Sequence, residues 1–479
     1  MGTVVFDKKP ISGIFNPVSA VKDHFDLCII GAGVTGAALA AYLGRKGLKI
    51  ALVEKQWEAP DRIVGELLQP DGVRQLELMG LSSVLENIDA QPVNGYAVFH
   101  KGDHLLLNYP EKDGMPKGYG LRNKYLLEAL RAEVSGIHNV KIFEAKAEQI
   151  CYEGNKATGV RIKSNNVTQS NKITAAYTVI SDGFFSVLRK ELHLCQPKVT
   201  GFFIGMLLHD TTLPFSNYGH VFIDQKAKFL AYPTATNTIR LLIERKDKGP
   251  ALKSAAMKEW LYENIMTQLP GHMYSAFDRA VEKADFQMMP SHMLPGKVQQ
   301  KEGLVLLGDA LNMRNPLTGG GMTAGLTDAR NLGNILIKIR ENGEPKTPGN
   351  LIAGYYQQRK ENASINILAD ALNQVFSDPE LATACFDYLK RGGLYAEEPL
   401  GLLAGLNRDQ QVLLRHFFAV ALYGASRQIK QRGIAKGFSS AGKMLGRASG
   451  ILSPLILNED QGLFMRTAFN IADKFNRKK

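Results

Sequence analysis

The chain has 479 residues, 45% of them hydrophobic, and a formal net charge of +12 at pH 7. That length buries a large core in two or three structural units, and the hydrophobic content is that of an ordinary folded protein. Its 4 cysteines (Cys28, Cys151, Cys195 and Cys385) are scattered without metal-binding spacing, so neither a zinc site nor a disulfide framework is indicated, and a reducing compartment is the natural inference.

Residues 1–24 carry no charged-then-apolar signal pattern. Asp26–Ile30 reads as a short buried strand, followed by Gly31-Ala32-Gly33-Val34-Thr35-Gly36, an apolar helix Ala37–Arg45 and a second strand Lys49–Val53 closed by Glu54. A GxGxxG turn alone is weak evidence. Here it stands between a strand and a helix, with an acid about 20 residues on to hold a ribose hydroxyl, which is the dinucleotide-binding arrangement. Glu54 rather than an arginine argues against a 2′-phosphate, so FAD or NAD fits better than NADP.

A helical pattern follows at Gly72–Met79, and Val93–His100 and Leu105–Tyr109 look like strands around a polar turn. Pro110–Gly120 reads as a loop, Asn123–Val134 as a helix, and Lys141–Ala147 and Gly159–Lys163 as strands around a turn. Thr178–Ser181 is an apolar strand running into Asp182-Gly183. Thr200–Glu244 alternates as an antiparallel sheet does, and Met257–Leu269 is helical up to Pro270-Gly271. The Asn166-Val167-Thr168 and Asn362-Ala363-Ser364 acceptor patterns carry no meaning in a cytosol-facing chain.

Leu304–Leu307 is a further apolar strand. It enters Gly308-Asp309, a loop with Arg314 and Pro316, three glycines (Gly319, Gly320, Gly321) and then a helix. This places a carboxylate at a strand end and a row of N–H groups at a helix start, which favours negative charge. Glycines also let a bulky ligand approach the backbone. A flavin dinucleotide needs both features: the carboxylate for ribityl hydroxyls, the dipole end near the isoalloxazine.

After about residue 350 helical patterns replace strands. Residues 408–479 hold 13 Lys and Arg against 4 Asp and Glu, so most of the positive excess lies there. Gln410–Gly424, Ser449–Leu457 and Gln461–Phe469 are apolar but short of the ~20 residues needed to span a bilayer. Arg427–Arg447 between them carries Lys430, Arg432, Lys436 and Lys443 and no acid. Apolar helices interleaved with basic segments suit interfacial association with anionic lipid; the alternative is a helical bundle packed on the core. No basic-aromatic module for nucleic acid is present.

Three elements, Gly31–Gly36, Asp182-Gly183 within VISDGFF, and Gly308–Met322 (GDALNMRNPLTGGGM), resemble the FAD-dependent monooxygenase and epoxidase group. Asp61–Pro70 (DRIVGELLQP), Ala90–Tyr96 and His416–Ala421 narrow the resemblance to the squalene monooxygenase, or squalene epoxidase, family from Phe25 to the C-terminal region. Asp71, Leu311 and Asn315 depart from that family's pattern.

The resemblance implies an α/β fold. A Rossmann-like FAD domain (25–90, 121–190 and 300–345) would be interrupted by a β-sheet substrate domain (91–120 and 191–299). A helical, monotopic membrane-associated region (346–479) would follow. It implies FAD-dependent epoxidation of squalene to 2,3-oxidosqualene through a flavin hydroperoxide, with O2 and with electrons from NADPH through NADPH–cytochrome P450 reductase. The setting would be a cytosol-facing membrane, the endoplasmic reticulum in a eukaryote. Carried over by position, Gly31, Gly33, Val34, Thr35, Gly36, Glu54 and Lys55 should hold the adenosine diphosphate end. Arg62, Leu67, Arg131 and Ala147 should contact the cofactor, Asp309, Gly321 and Met322 should close the site, and Tyr96 paired with Gln69 should set flavin reactivity. Phe202, Phe203, Met206, Leu208, Phe222, Tyr232, Met288 and Met289 are candidate tunnel residues, with plain core packing as the alternative. A hydroxylase of a small aromatic or another polyene shares the flavin motifs; a third reading is a non-catalytic prenyl carrier that works without flavin, against which the full Gly31–Gly36 turn, Glu54 and Asp309 argue.

Overall fold

The computed structural model describes residues 15–16, 23–110, 117–164, 170–223, 227–342 and 348–459 except 433. The N-terminal segment, Asn166-Val167-Thr168 and Gln461–Phe469 lie wholly or largely outside these, as do the side chains of Arg432 and Lys436.

The first sheet is built on His24–Ile30, a strand buried along its C-terminal half. Ile50–Glu54 lies parallel on one side of it with Val140–Glu144 beyond, and Asn171–Ile180 lies parallel on the other. Near-continuous apolar runs are what parallel strands covered on both faces require. Asn171–Ile180 is long enough to serve two neighbours along one edge: its first half pairs with the antiparallel Lys156–Lys163, its last three residues with Leu304–Leu306. The expected pair of strands around a turn between 141 and 163 is therefore three strands, Val140–Glu144, Lys146–Glu153 and Lys156–Lys163.

The helix Val34–Arg45 crosses one face of this sheet and packs on the 23-residue helix Gly320–Asn342. Thr35 is the point of contact: a Cβ on Gly325 would lie 2.8 Å from its hydroxyl oxygen, and one on Gly308 3.1 Å. Small residues here let the two helix starts converge.

A second sheet of seven strands runs in the order Phe286–Met293, Lys198–His209, Thr238–Arg245, Lys228–Ala235, Gly219–Ile223, Gly95–His100, Asp103–Asn108. All pairs are antiparallel except Gly219–Ile223 with Gly95–His100. One face is covered by helices Ala255–Asn264 and Tyr274–Glu282, and the other meets Tyr96, Leu67 and Leu317. Part of the expected loop before Gly120 is instead a strand, Gly118–Gly120, pairing with both Leu67–Leu68 and Gln91–Val93.

From Ala363 the chain is helical: Ala363–Ser377, Pro379–Leu389, Leu394–Leu403, Gln410–Arg432 and Ile434–Glu459. No helix among the described residues is long and apolar enough to cross a membrane. Part of the basic excess here is internal: Arg408 binds Asp71, Arg415 binds Glu398, Arg427 binds Asp387, and Arg447 binds Asp378 and Glu380. Lys430 and Lys443 are exposed.

Candidate functional site

The turn after the first strand is shaped by close approach. Gly31 has φ +97°, and a Cβ there would lie 2.5 Å from the Ser181 carbonyl oxygen; on Gly36 it would lie 2.0 Å from that of Gly31. Only residues without a side chain fit such positions. Gly33, by contrast, faces open space: a Cβ there would meet nothing within 4 Å. The turn is thus closed beneath and open above, and the N-terminus of Val34–Arg45 points into the opening.

Glu54 closes the second strand. One carboxylate oxygen accepts from Ala32 N–H at 2.8 Å and the other from Gln56 N–H at 3.1 Å. The carboxylate is held at the mouth of the turn with lone pairs left for ribose hydroxyls. Arg131 lies beside this turn. Its guanidinium donates to the carbonyls of Ala32 (3.0 Å), Gln56 (3.2 Å) and Trp57, and lies 3.6 Å from Glu54. It is buried, and it ties the turn to the segment after Glu54. Arg62 is exposed near it and lowers its basicity, second to burial and after the opposing pull of Glu54. Val34 and Ala147 are half-buried and Lys55 is exposed.

The second half of the cleft lies at the end of Leu304–Leu306. Gly308 (φ +63°) turns the chain, and Asp309 follows as an exposed residue. Asn315 caps the short turn Pro316–Thr318 by accepting from Leu317 N–H at 2.9 Å; Gly319, at φ +63°, then leads into the long helix. Gly321 is exposed at that helix start, and Met322 is buried with its sulfur close to Gly65. Leu67 is buried against Gly319.

Asp182 lies in the VISDGFF motif, yet its residue type alone suggested no contact for it. It ends the central strand beside Gly31, and its Oδ1 is buried without a hydrogen-bond partner among the described residues. Burial holds this carboxyl above the usual range. Glu54, the open turn at Gly33, the unpartnered Asp182 Oδ1 and the exposed Asp309 all lie at or just after the ends of neighbouring parallel strands of the first sheet. FAD fits these residues: a carboxylate at Glu54 suits ribose hydroxyls, the open helix start at Gly33 suits phosphate, and the exposed carboxylate of Asp309 suits further hydroxyls.

Gln69 and Tyr96 meet where this cleft reaches the second sheet. Gln69 Nε2 donates to the Tyr96 hydroxyl and to the Thr318 carbonyl, both at 2.6 Å, and Gln69 Oε1 accepts from Tyr109 OH at 2.6 Å. All polar atoms of the Gln69 side chain are therefore used. Gly219 lies in register with Tyr96, and its missing side chain leaves room for the ring. Burial pushes the Tyr96 hydroxyl up to about 12, so it stays protonated at neutral pH.

From Tyr96 an apolar cavity extends into the C-terminal helices, with about 1050 Å³ of space not filled by atoms, solvent at its open side included. Val98 and Leu107 of the sheet, Leu317 of the flavin loop, and Leu372, Leu400, Leu413 and Phe417 of the helices line it. Its polar points are Tyr96 and Thr318 at one end and Tyr388 hydrogen-bonded to His416 (2.8 Å) among the helices. None of the eight tunnel candidates from the sequence lines it. Met206, Leu208, Phe222 and Met288 point to the opposite face of the sheet, against its two covering helices; Phe203, Tyr232 and Met289 pack under the cavity wall. Strand alternation puts half of them on the wrong side.

One buried and one half-buried ion pair join distant parts of the chain around this region. Arg240 of the second sheet binds Glu66 through two bonds, 2.6 and 2.9 Å. Arg408 binds Asp71, the Thr327 hydroxyl (2.8 Å) and Asn362 (3.0 Å). Neither pair was legible in the sequence, because the partners are 174 and 337 residues apart.

Comparison with known proteins follows the same division. A family model described as squalene epoxidase matches residues 174–440, and one described as FAD dependent oxidoreductase matches residues 26–62. Squalene epoxidase 1 of Arabidopsis thaliana is 36% identical over 467 residues, covering 95% of this chain and 88% of that protein. A squalene epoxidase of Aspergillus fumigatus is 38% identical (84% and 86% covered), and the mouse squalene monooxygenase 33% (91% and 78%). Among solved structures, a probable FAD-dependent monooxygenase from Pseudomonas aeruginosa superimposes with a TM-score of 0.64 at 21% identity, covering 76% of this chain and all of that one. A flavoprotein/dehydrogenase from Cytophaga hutchinsonii gives 0.67 at 15% identity, covering 88% and 99%. These two show a shared α/β fold.

Proposed function

We infer the reaction from one premise: the chain belongs to the squalene epoxidase family. It is an FAD-dependent monooxygenase that epoxidises squalene with O2. The observation that carries this reading to the residues is the apolar cavity, which starts at Tyr96 and Gln69 beside the flavin loop. A hydrocarbon with no polar group needs such walls, and a small aromatic with a polar anchor does not. A prenyl carrier without catalysis has no use for Glu54, Asp182 and Asp309 along a dinucleotide cleft.

FAD supplies the activation of dioxygen; the chain supplies the rest. Its helix starts at Gly33 and Gly320 favour the cofactor's negative charge. The apolar walls would seat one end of the polyene against the Tyr96 end and exclude water, which limits unproductive loss of the activated oxygen. Gln69 clamps the Tyr96 hydroxyl to the Thr318 carbonyl, one residue before Gly319, so the phenol is fixed relative to the flavin loop. The assignment of Tyr96 and Gln69 as residues that tune the flavin rests on this clamp.

Three finer assignments complete the proposal. The first sheet and its helices form a discontinuous FAD domain, with the second sheet as the inserted substrate domain. The two electrons come from NADPH through NADPH–cytochrome P450 reductase. The C-terminal helices rest on a cytosol-facing membrane, endoplasmic reticulum in a eukaryote, where Lys430 and Lys443 and the exposed Leu422 and Leu457 would meet lipid.

The test is incubation of FAD-loaded protein with squalene vesicles, O2, NADPH and the reductase, with oxidosqualene read by mass. Reductase-dependent oxidosqualene supports the whole scheme. Equal turnover with NADPH alone removes the reductase; oxygen consumption without epoxide removes squalene as the substrate.

A further inference from the structure

Four of the large hydrophobic side chains that stand exposed among the described residues fall within one 15-residue stretch: Phe185 (79% exposed), Val187 (64%), Leu194 (64%) and Val199 (55%). Scattered exposed apolar residues need no explanation, but a cluster does. This cluster follows directly on Asp182-Gly183, and no step of the epoxidation uses it.

The exposure is enforced. Between the outward residues, Ser186, Leu188, Arg189, Leu192 and His193 are buried. Arg189 donates to the carbonyls of Gly183 (2.9 Å), Phe184, Ser186 (3.0 Å) and Asp309 (3.4 Å), and His193 Nε2 meets the Leu311 carbonyl at 2.9 Å. The segment is thus pinned to the flavin loop while it presents Phe185, Val187 and Leu194 outward.

Its charge is one-sided. Lys190 and Lys198 are exposed beside the apolar residues. The one acid between them, Glu191, is engaged by Lys301 (3.5 Å) and the Tyr152 hydroxyl (2.9 Å). The patch is also continuous with the end of the last described helix. Leu194 N–H donates to the Lys297 carbonyl at 3.0 Å, and Lys297 Nζ donates to Asn458 at 3.2 Å, beside the exposed Leu457. Val199 pairs in register with His292, whose ring lies 4.3 Å from that of Phe184.

We propose that the Phe185–Val199 segment is a second membrane contact of this protein, seating on a bilayer surface with anionic headgroups. Apolar side chains enter the headgroup boundary, and Lys190 and Lys198 meet the lipid charge. The segment and the C-terminal helices then form one lipid-facing surface, and the fixed angle between them sets how the flavin end of the cavity is held over the membrane. The proposal rests on the reading that the C-terminal helices meet lipid.

The experiment compares wild type with Phe185→Ser/Val187→Ser/Leu194→Ser and with Lys190→Glu/Lys198→Glu, all FAD-loaded. Co-sedimentation uses phosphatidylcholine vesicles with and without phosphatidylserine, and epoxidation is measured in detergent and in vesicles. The apolar triple variant is expected to lose at least tenfold in vesicle binding while keeping its flavin spectrum and its detergent activity. The charge variant should lose only the increment that phosphatidylserine adds, which keeps the test alive if the triple variant fails to fold. Wild type that binds no vesicle overturns the membrane reading and this proposal together. Wild type that binds while both variants bind equally well overturns this proposal alone. Unchanged vesicle binding with turnover lost only when the reductase supplies electrons also overturns it, in favour of a protein partner.

Discussion

Gln69 joins two tyrosines and the flavin loop through three hydrogen bonds of one length: it donates to Tyr96 OH and the Thr318 carbonyl and accepts from Tyr109 OH, each at 2.6 Å. All four residues sit in a buried site, so no water is at hand to replace a lost partner. Tyr96→Phe strands one amide hydrogen of Gln69, and a buried group left unpaired costs about 1–3 kcal/mol. On the proposed reading the clamp sets the phenol in the transition state, so a loss of the same size there lowers kcat for epoxidation roughly 5- to 150-fold, with FAD content and flavin absorbance retained. Gln69→Ala should fall further, because it also releases Thr318 and Tyr109. Full activity of Tyr96→Phe in an oxidosqualene assay would remove the tyrosine from flavin tuning.

Asp309 stands exposed at a strand end with Gly308 behind it. On the proposed reading, this carboxylate accepts from the ribityl hydroxyls when FAD binds. Hydrogen bonds to charged groups are worth about 1.5–3 kcal/mol, so Asp309→Ala should raise the FAD dissociation constant roughly 10- to 100-fold. Fluorescence quenching on titration with FAD measures it. An unchanged constant would place the ribityl chain elsewhere.

The parts legible in the sequence share one property: their signal is local. The Gly31–Gly36 turn is legible because strand, glycines, helix and acid fall within Asp26–Glu54, and the Gly308-Asp309 turn because strand, loop and helix are contiguous. Phe286–Met293 carries no strand signal, since Pro290 interrupts it; the structure places it at the sheet edge, where a missing donor is tolerated. The cavity lining is illegible for a different reason. Leu372, Leu400 and Leu413 come from three separate helices, and an apolar helix position reads the same whether it faces core or void. Arg131 lies beside the Gly31–Gly36 turn, and residue type does not say that its donors go to carbonyls.

The pair of Glu66 and Arg240 is 0% and 4% exposed at its side chains, with Arg122 Nε 3.6 Å away on its outer side. Removing one partner leaves a buried charge, which destabilises by about 3–5 kcal/mol. Arg240→Ala should therefore lower the melting temperature more than the double change Arg240→Met/Glu66→Met, which leaves no charge behind. Thermal unfolding of the FAD-loaded proteins decides this. Equal losses in the two variants would show that the pair contributes packing rather than charge compensation.

Asp370 links the C-terminal helices to the flavin loop: its Oδ1 accepts at 3.3 Å from the N–H of Asn315, the residue whose side chain caps Pro316–Thr318. Burial pushes its carboxyl from 3.8 up to about 7; the Asn315 hydrogen bond and Arg314 pull down, and the nearby Glu459 pushes further up. The folded chain therefore holds a proton here that the unfolded chain has released, over the window from about 4 to about 7. Stability falls as pH rises wherever the folded state binds more protons. The contribution is full below the unfolded value, shrinks through the window, and is gone above about 7. Asp370→Asn keeps the acceptor oxygen and removes the titration. We expect the melting temperature of the wild type to fall relative to Asp370→Asn between pH 5 and pH 8, with the two nearest each other at the acid end. Epoxidation should follow the same order, since Asn315 and Pro316 lead directly into Thr318 and Gly319. Parallel melting curves for the two proteins across this range would mean that Asp370 is ionised throughout and that Arg314 compensates its burial.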